Sequence, residues 1–375
     1  GKGVGSEAER RETVSEILDD LRALVERESP SDDAGLVTSL AEWIVKRLAG
    51  AGIAAERVAC PPSGDAVRAG FGVGSGGTLL VGHLDTVWPA GTLRERPFRV
   101  ENGVATGPGV FDMKAGIAVA IHAMELLHRE GGGARLSLFL TPDEEIGTRA
   151  SRARLLEAAG RHDRALVLEP SRGGAAKIAR KGTGLFEISF SGRAAHAGLE
   201  PEKGASALAE LARFVLFLET LGDAGKGTSV TPTVSASGTK TNVVPERASL
   251  SVDVRVWTAD EQARVRDSIE SYSAADPRVT VAVRGGFDRP PMEPTPASTA
   301  LYEKARDVAA GLGWALAGER VGGASDGNLT SAAGIPTLDG LGPGGDGAHA
   351  KDEFTLVEDL PRRVEFLSRL IRGLA

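Results

Sequence analysis

Seven acids and imidazoles end apolar segments of this chain or stand in its turns. His83 and Asp85 end the run TLLVGHLDTV, two residues apart. Side chains alternate faces along a strand, so this pair points one way. Asp112 lies in GPGVFDMKAG, a tight glycine-rich loop opening onto a helical pattern. Glu144 and Glu145 follow the apolar LSLFL in LTPDEEIG, Glu169 closes LVLEP, and His349 lies in GPGGDGAHAKDEF. Strand ends and the turns after them are where open α/β sheets put ligand sites. Taken singly, each has an ordinary use. A lone histidine is more often a hydrogen-bonded structural residue, and an acid after a strand often caps a helix, a use open to Asp143. Taken together, they are a costly excess of buried charge unless a cation offsets it.

Charge counting points to two divalent cations. In one assignment His83 and Glu169 hold the first, Glu145 and His349 hold the second, and Asp112 bridges them. The three carboxylates offset three of four positive charges, and a bridging hydroxide balances the last. Imidazole and carboxylate ligands suit zinc and also admit cobalt or manganese. Asp85 is then available to accept the second N–H of His83, fixing the ring and raising its basicity. Glu144, beside a ligand but not needed as one, is left as a general base.

Periodicity supplies the elements that must hold these residues. Val14, Ile17, Leu18, Leu21, Leu24 and Val25 recur at helical spacing, predicting an amphipathic helix over 7–28, and a second runs from 36 to 48. Short strands near 53–59, 66–72 and 78–83 precede helix 113–130, strand 135–140, helix 149–159 and strand 165–169. That βαβα rhythm predicts an α/β sheet with helices on both faces. From residue 182 the rhythm becomes β-α-β-β-α-β, the ferredoxin-like order. The proline-rich FDRPPMEPTP reads as the return linker, and helices 297–312 and 357–373 complete the first domain. The smaller domain is thus inserted into the larger.

Composition narrows the function classes. A chain of 375 residues with 41% hydrophobic and 25% charged residues reads as a soluble globular protein of two domains. No apolar stretch is long enough for a membrane span. The net charge of −7 carries no basic block, which excludes a nucleic-acid partner from the expectation. The one cysteine, Cys60, excludes intrachain disulfides and cysteine-rich metal sites and fits a reducing, cytoplasmic compartment. The opening GKGVGSEAERR has no apolar signal-peptide core.

Two motif matches are set against their context. GVGSGG, 72–77, satisfies G-x-G-x-x-G, but the strand TLLVGH follows where the dinucleotide fingerprint needs a helix, so a hairpin turn is the expectation. GASDG, 323–327, satisfies G-x-S-x-G. A nucleophile elbow needs a strand just before it, and WALAGERVG is a poor one. Ser325, a later aspartate and His349 do come in the α/β-hydrolase order, so a serine hydrolase, which chelators would spare, stays as an alternative.

The segments GHLDTV, GPGVFDMKAG, TPDEEIG, LEP, SGRAAHAG, KTNVVPE and GAHAKDEF resemble those of the M20 metallopeptidases, nearest the glutamate carboxypeptidase (carboxypeptidase G2-like) branch. The resemblance runs in order through nearly the whole chain. It implies a zinc-peptidase-like three-layer catalytic domain, 1–181 plus 289–375, with an inserted ferredoxin-like lid and dimerisation domain, 182–288. It implies the ligand set above, with Asp112 bridging two zincs, Asp85 supporting His83 and Glu144 as base. In the lid it implies that His196 reaches a neighbouring subunit's site and polarises the scissile carbonyl. Asn242 and Arg255 would bind substrate, Arg255 gripping a carboxylate, although alternation in SVDVRV also puts Asp253 on that face. Gly323 and Ser325, in a segment as close to the desuccinylases as to the carboxypeptidases, would line the substrate site. Where glutamate-specific members carry further basic groups, this chain has RGGFDRPP, with Arg289 as a substitute. Lys177 is more simply an exposed lysine.

The implied activity is metal-dependent amide hydrolysis, with water between the zincs as nucleophile. The substrate is a peptide or N-acyl amino acid with a free carboxylate, from which a C-terminal glutamate or similar residue is released. The alternative is a biosynthetic N-acyl deacylase of the acetylornithine or succinyl-diaminopimelate type. A non-catalytic binder is disfavoured by the complete ligand set. A homodimer through the lid is the expected assembly.

Overall fold

The computed structural model describes residues 7–131 and 135–375. The opening GKGVGS, part of the stretch without a signal core, lies outside them. The larger compact unit comprises residues up to Ile178, Pro294–Arg320 and Ser325–Ala375. Its main sheet contains β1 (Ala54–Val58), β2 (Ala66–Phe71), β3 (Thr78–His83), β4 (Leu136–Thr141), β5 (Arg164–Val167) and an edge strand, Thr337–Leu338. The order is β1-β2-β4-β3-β5-edge. The β1, β2 and β4 pairings are antiparallel, while β4, β3, β5 and the edge strand run parallel.

Burial explains the strands. Every residue of Thr78–His83 is buried. Leu80 packs into one core and Leu79 and Val81 into another, as alternation requires of a strand covered on both faces. The first core takes α1 (Glu7–Val25), α2 (Ala34–Gly50), α3 (Ala115–Glu130) and the C-terminal helix Asp359–Leu374. The second takes α4 (Arg152–Ala159) and Leu329 of the short helix Asp326–Ala332. Helix, sheet and helix make three layers. Because β3, β4 and β5 are parallel, their carboxyl ends open at one edge. His83 ends β3, Glu144 and Glu145 follow β4, and Glu169 follows β5.

The loop 72–77 does join two strands, but they are not a hairpin. Strand β4 lies between β2 and β3, so the connection crosses over a neighbour that arrives later in the chain. Asp112 sits in a wide turn, Val110–Lys114, ahead of α3. Gly116 lets this turn close on the sheet. A Cβ there would lie 2.1 Å from the carbonyl oxygen of Leu168, next to Glu169. His349 lies between the antiparallel strands Gly344–Asp346 and Phe354–Leu356 of a second, five-stranded sheet.

The smaller unit is Ala179–Glu293 with Val321–Ala324. It contains β6 (Gly182–Ser191), α5 (Ala207–Glu219), β7 (Ser229–Ser237), β8 (Arg247–Val256), α6 (Ala259–Glu270) and β9 (Thr280–Arg289). The antiparallel order β7-β8-β6-β9 is the ferredoxin-like arrangement. Phe186, Ile188 and Phe190 of β6 pack with Leu250, Val252 and Val254 of β8 and with Phe214 and Val265 of the helices. The unit is wider than the 182–288 expected. Lys181 N–H donates to Val321 O at 3.0 Å, Met292 N–H to Arg180 O at 3.0 Å, and the Arg180 guanidinium to Gly323 O at 3.0 Å.

Glu210 ties this domain together. Its carboxylate is fully buried and accepts from Tyr272 O–H at 2.7 Å, Ala275 N–H at 3.0 Å and Arg213 Nη1 at 3.0 Å. Burial pushes its pKa up, but these donors outweigh burial and hold it below the ordinary value. Glu210→Ala is expected to destabilise the protein by about 2–4 kcal/mol, because two buried donors lose their acceptor. The folded pKa is depressed, so this stabilisation is complete above the unfolded carboxyl pKa, about 4.3, and is lost as pH falls below it. Urea titrations of both proteins at pH 7 and pH 4 check this: the gap should shrink at pH 4.

Candidate metal centre

The sheet edge brings His83, Asp112, Glu144, Glu145, Glu169 and His349 together. Asp112 stands between the two histidines. Its Oδ1 is 3.0 Å from His83 Nε2 and its Oδ2 is 3.2 Å from His349 Nε2. Glu169 Oε1 lies 3.5 Å and Glu144 Oε2 3.8 Å from His83 Nε2. Glu145 Oε2 lies 3.1 Å from His349 Nε2. His83 is 1% exposed, whereas the His349 side chain is 54% exposed, so the cluster runs from the buried strand end to an open side.

The donor set fits cations. Ligand atoms of His83, Glu144 and Glu169 lie within 4.8 Å of one another, as do those of His83, Asp112 and Glu145. The first group includes Glu144, which the sequence assigns as base. Four carboxylates converge on two imidazoles, and the titration directions express the same demand for positive charge. Burial opposes protonation of His83, but Glu169 and Asp112 raise its pKa well above 6.5. Asp112 and Glu145 raise that of His349 to about 10. Burial pushes Glu145 up, while His349 and His83 outweigh burial at Asp112 and pull it down.

Two local features hold the cluster. His349 has φ of 63°, in the left-handed region that favours glycine, so a costly position keeps an imidazole. Asp85 stands beside His83 with both its main chain and its carboxylate. His83 Nδ1 lies 2.9 Å from the main-chain carbonyl oxygen of Asp85 and 3.5 Å from its Oδ1. The Asp85 carboxylate also accepts from Glu144 N–H at 3.0 Å, Glu145 N–H at 3.1 Å and the Ser31 hydroxyl at 2.6 Å. Asp143 does not cap this turn. Its carboxylate accepts from Ala150 N–H at 2.7 Å and Ser151 Oγ at 2.5 Å. Glu353 is a residue that the sequence did not single out. Fully buried, it accepts Val110 N–H at 2.8 Å and links the His349 loop to the Asp112 turn. The DEF of GAHAKDEF was the one signal for it.

In the smaller unit, His196 pairs with Val243, and Ala197 N–H donates to Asn242 O at 2.9 Å, so His196 and Asn242 are brought together. His196 Nδ1 accepts from Gly198 and Leu199 N–H at 3.1 and 3.2 Å. An accepting Nδ1 leaves the proton on Nε2, and the residue is exposed. Arg255 forms a two-point pair with Asp253, Nε to Oδ1 at 2.9 Å and Nη2 to Oδ2 at 3.1 Å. Lys177, in the larger unit, donates to Pro170 O at 2.6 Å.

Ser325 and Gly323 fall in different compact units. A short strand, Gly318–Val321, precedes the G-x-S-x-G match and a helix follows, but none of its four residues is buried, so it is the poor strand expected. Ser325 is fully buried. Its hydroxyl lies 2.5 Å from Asp339 Oδ2 and accepts Gly327 N–H as the helix cap. That is a structural use of the serine and leaves no accessible nucleophile.

Comparison with known proteins agrees with this geometry. Residues 79–373 match the model of peptidase family M20/M25/M40. Carboxypeptidase G2 of Pseudomonas sp. (strain RS-16) is 32% identical over 311 residues, covering 81% of this chain and 75% of that protein. A succinyl-diaminopimelate desuccinylase of Methylorubrum populi is 30% identical over 375 residues, covering 91% and 93%. Aminopeptidase PepT of Bacillus cereus shares the fold at TM-score 0.82 and 20% identity, over 96% of this chain and 98% of that one. Cluster, fold and family match converge, and the chain belongs to peptidase family M20/M25/M40, the metallopeptidases and amidohydrolases of this fold.

Proposed function

We propose that this enzyme is a carboxypeptidase dependent on two zinc ions. It would release a C-terminal amino acid, glutamate or similar, from a peptide or N-acyl amino acid. The observation that carries the reading is the Asp112 carboxylate, with one oxygen toward His83 and the other toward His349. His83 and Glu169 would hold one cation and Glu145 and His349 the other, with Asp112 shared. Bound there, the cations supply Lewis acidity and lower the pKa of coordinated water to about 7 in favourable cases.

The chain's own groups do the rest. Glu144 takes a proton from the attacking water and returns it to the leaving amine. His196, reaching a neighbouring subunit's site, would donate a hydrogen bond from Nε2–H to the developing oxyanion. Asn242 and Arg255 bind the substrate, Arg255 gripping the substrate's carboxylate. The identity to carboxypeptidase G2 favours release of an amino acid. The similarity to a desuccinylase, over more of the chain, supports the second reading, an N-acyl deacylase.

The deciding experiment pairs metal analysis with a panel of N-(4-aminobenzoyl)glutamate, other N-acyl amino acids, N-acetylornithine and N-succinyl-diaminopimelate. About two zincs per chain and chelator-sensitive release of the C-terminal amino acid are expected. Turnover of the acyl-amines alone would move the protein to the deacylases. Turnover that survives chelation would reject both readings.

We also propose a homodimer through the smaller domain, located in the cytoplasm, as the single cysteine would allow. Strand β7 is a sheet edge, and Val234 on it and Leu208 and Leu216 on α5 are exposed. A monomer by sedimentation at assay concentration would contradict the dimer. Among the described residues no helix is long and apolar enough to cross a membrane.

A further inference from the structure

A chain segment remote from the metal cluster in sequence reaches it through one hydroxyl. After α1, residues Ser29–Ser31 lie alongside Leu84–Thr86, just beyond the end of β3. Thr86 N–H donates to Ser29 O at 2.9 Å and Ser31 N–H to Thr86 O at 3.2 Å, while Ser29 Oγ donates to Leu84 O at 2.7 Å. Lys114, at the foot of the Asp112 turn and fully buried, donates to Arg27 O at 2.7 Å. The segment is therefore tied to both the β3 end and the Asp112 turn. From it the Ser31 hydroxyl donates to Asp85 Oδ2 at 2.6 Å.

The consequence lies on the far side of Asp85. The same carboxylate, itself fully buried, accepts the backbone N–H groups of Glu144 and Glu145, one on each oxygen. These are the first N–H groups of the turn Glu144–Ile146, which have no partner within the turn, and its own Asp143 does not cap it. A carboxylate able to rotate would cap the turn loosely. Ser31 holds Asp85 at Oδ2 and so helps fix the direction of both accepting oxygens.

We propose that Ser31 is a positioning residue: through Asp85 it sets the backbone of Glu144 and Glu145, and thereby the aim of the Glu144 carboxylate. The kinetic part rests on the reading of Glu144 as general base; the structural part does not. Loss of the hydroxyl should loosen the turn without removing a metal ligand or a substrate contact. It should therefore lower kcat and leave KM unchanged.

The test uses the full-length, zinc-loaded protein as Ser31→Ala and Ser31→Thr, with two readouts. The first is amide hydrogen exchange at Glu144 and Glu145. Exchange there should quicken about tenfold in Ser31→Ala and return toward wild type in Ser31→Thr, with α3 and the smaller domain unchanged. The second is turnover of the best substrate of the panel above. At matched zinc load kcat should fall about tenfold in Ser31→Ala, with KM unchanged and recovery in Ser31→Thr. Unchanged exchange at both amides overturns the proposal, as does a quickening spread evenly over the whole protein. Faster exchange with unchanged kcat overturns its kinetic part. Should Glu144→Ala prove fully active, the base reading fails, and exchange at the two amides still decides whether Ser31 sets the turn.

Discussion

Glu144→Ala is expected to keep its metal content and lose about 10²–10⁴-fold in kcat, the usual worth of a positioned acid–base group. The side chain stands at the cluster, with Oε2 3.8 Å from His83 Nε2 and 10% of its surface exposed. Its backbone is fixed through Asp85, so alanine changes the chemistry and leaves the turn in place. Glu144 also falls within ligand distance of His83 and Glu169, which gives the variant a second use. As a base, Glu144 is dispensable for metal retention. As a ligand, its loss would cost a cation. Metal analysis and kcat on the same sample separate the two. A variant within tenfold of wild type at full metal load would refute the base assignment.

Asp112→Ala is expected to lose at least one cation and more than about a thousandfold in activity. No other carboxylate of the cluster stands within 3.2 Å of both histidines. Removing it leaves His83 and His349 without their shared partner and removes one of the charges that pull each toward the protonated form, beside Glu169 at His83 and Glu145 at His349. Asp112→Asn, which keeps the shape and loses the charge, should fall between alanine and wild type. A zinc titration of each variant followed by an activity assay measures both effects. Two tightly held zincs in Asp112→Ala would contradict its bridging position.

The residues of the centre were legible because charge at the end of an apolar run is costly. His83 closes β3, Glu144 and Glu145 follow β4, and Glu169 follows β5, each marked by a strand that alternation or continuous burial makes visible. The ferredoxin-like order was legible for the same reason, since β6 and β8 alternate buried and exposed residues along their length. Strand neighbours were not. The hairpin expected at 72–77 failed because β4, far downstream, inserts between β2 and β3, and no local signal records that. Hydrogen-bond partners distant in sequence were equally hidden. Ser31 and Asp85 are 54 residues apart, and nothing in a serine following a proline announces a buried carboxylate as its acceptor. Asp143 shows the converse, with cap-like local sequence overruled by Ala150 and Ser151.

The central claim is a pair of cations sharing Asp112, and anomalous diffraction at the zinc edge from the zinc-loaded protein tests it most directly. The account predicts two peaks, one beside His83 and Glu169 and one beside Glu145 and His349, with the Asp112 carboxylate between them. A single peak at full zinc load, or two peaks with Asp112 bound to neither, would contradict it.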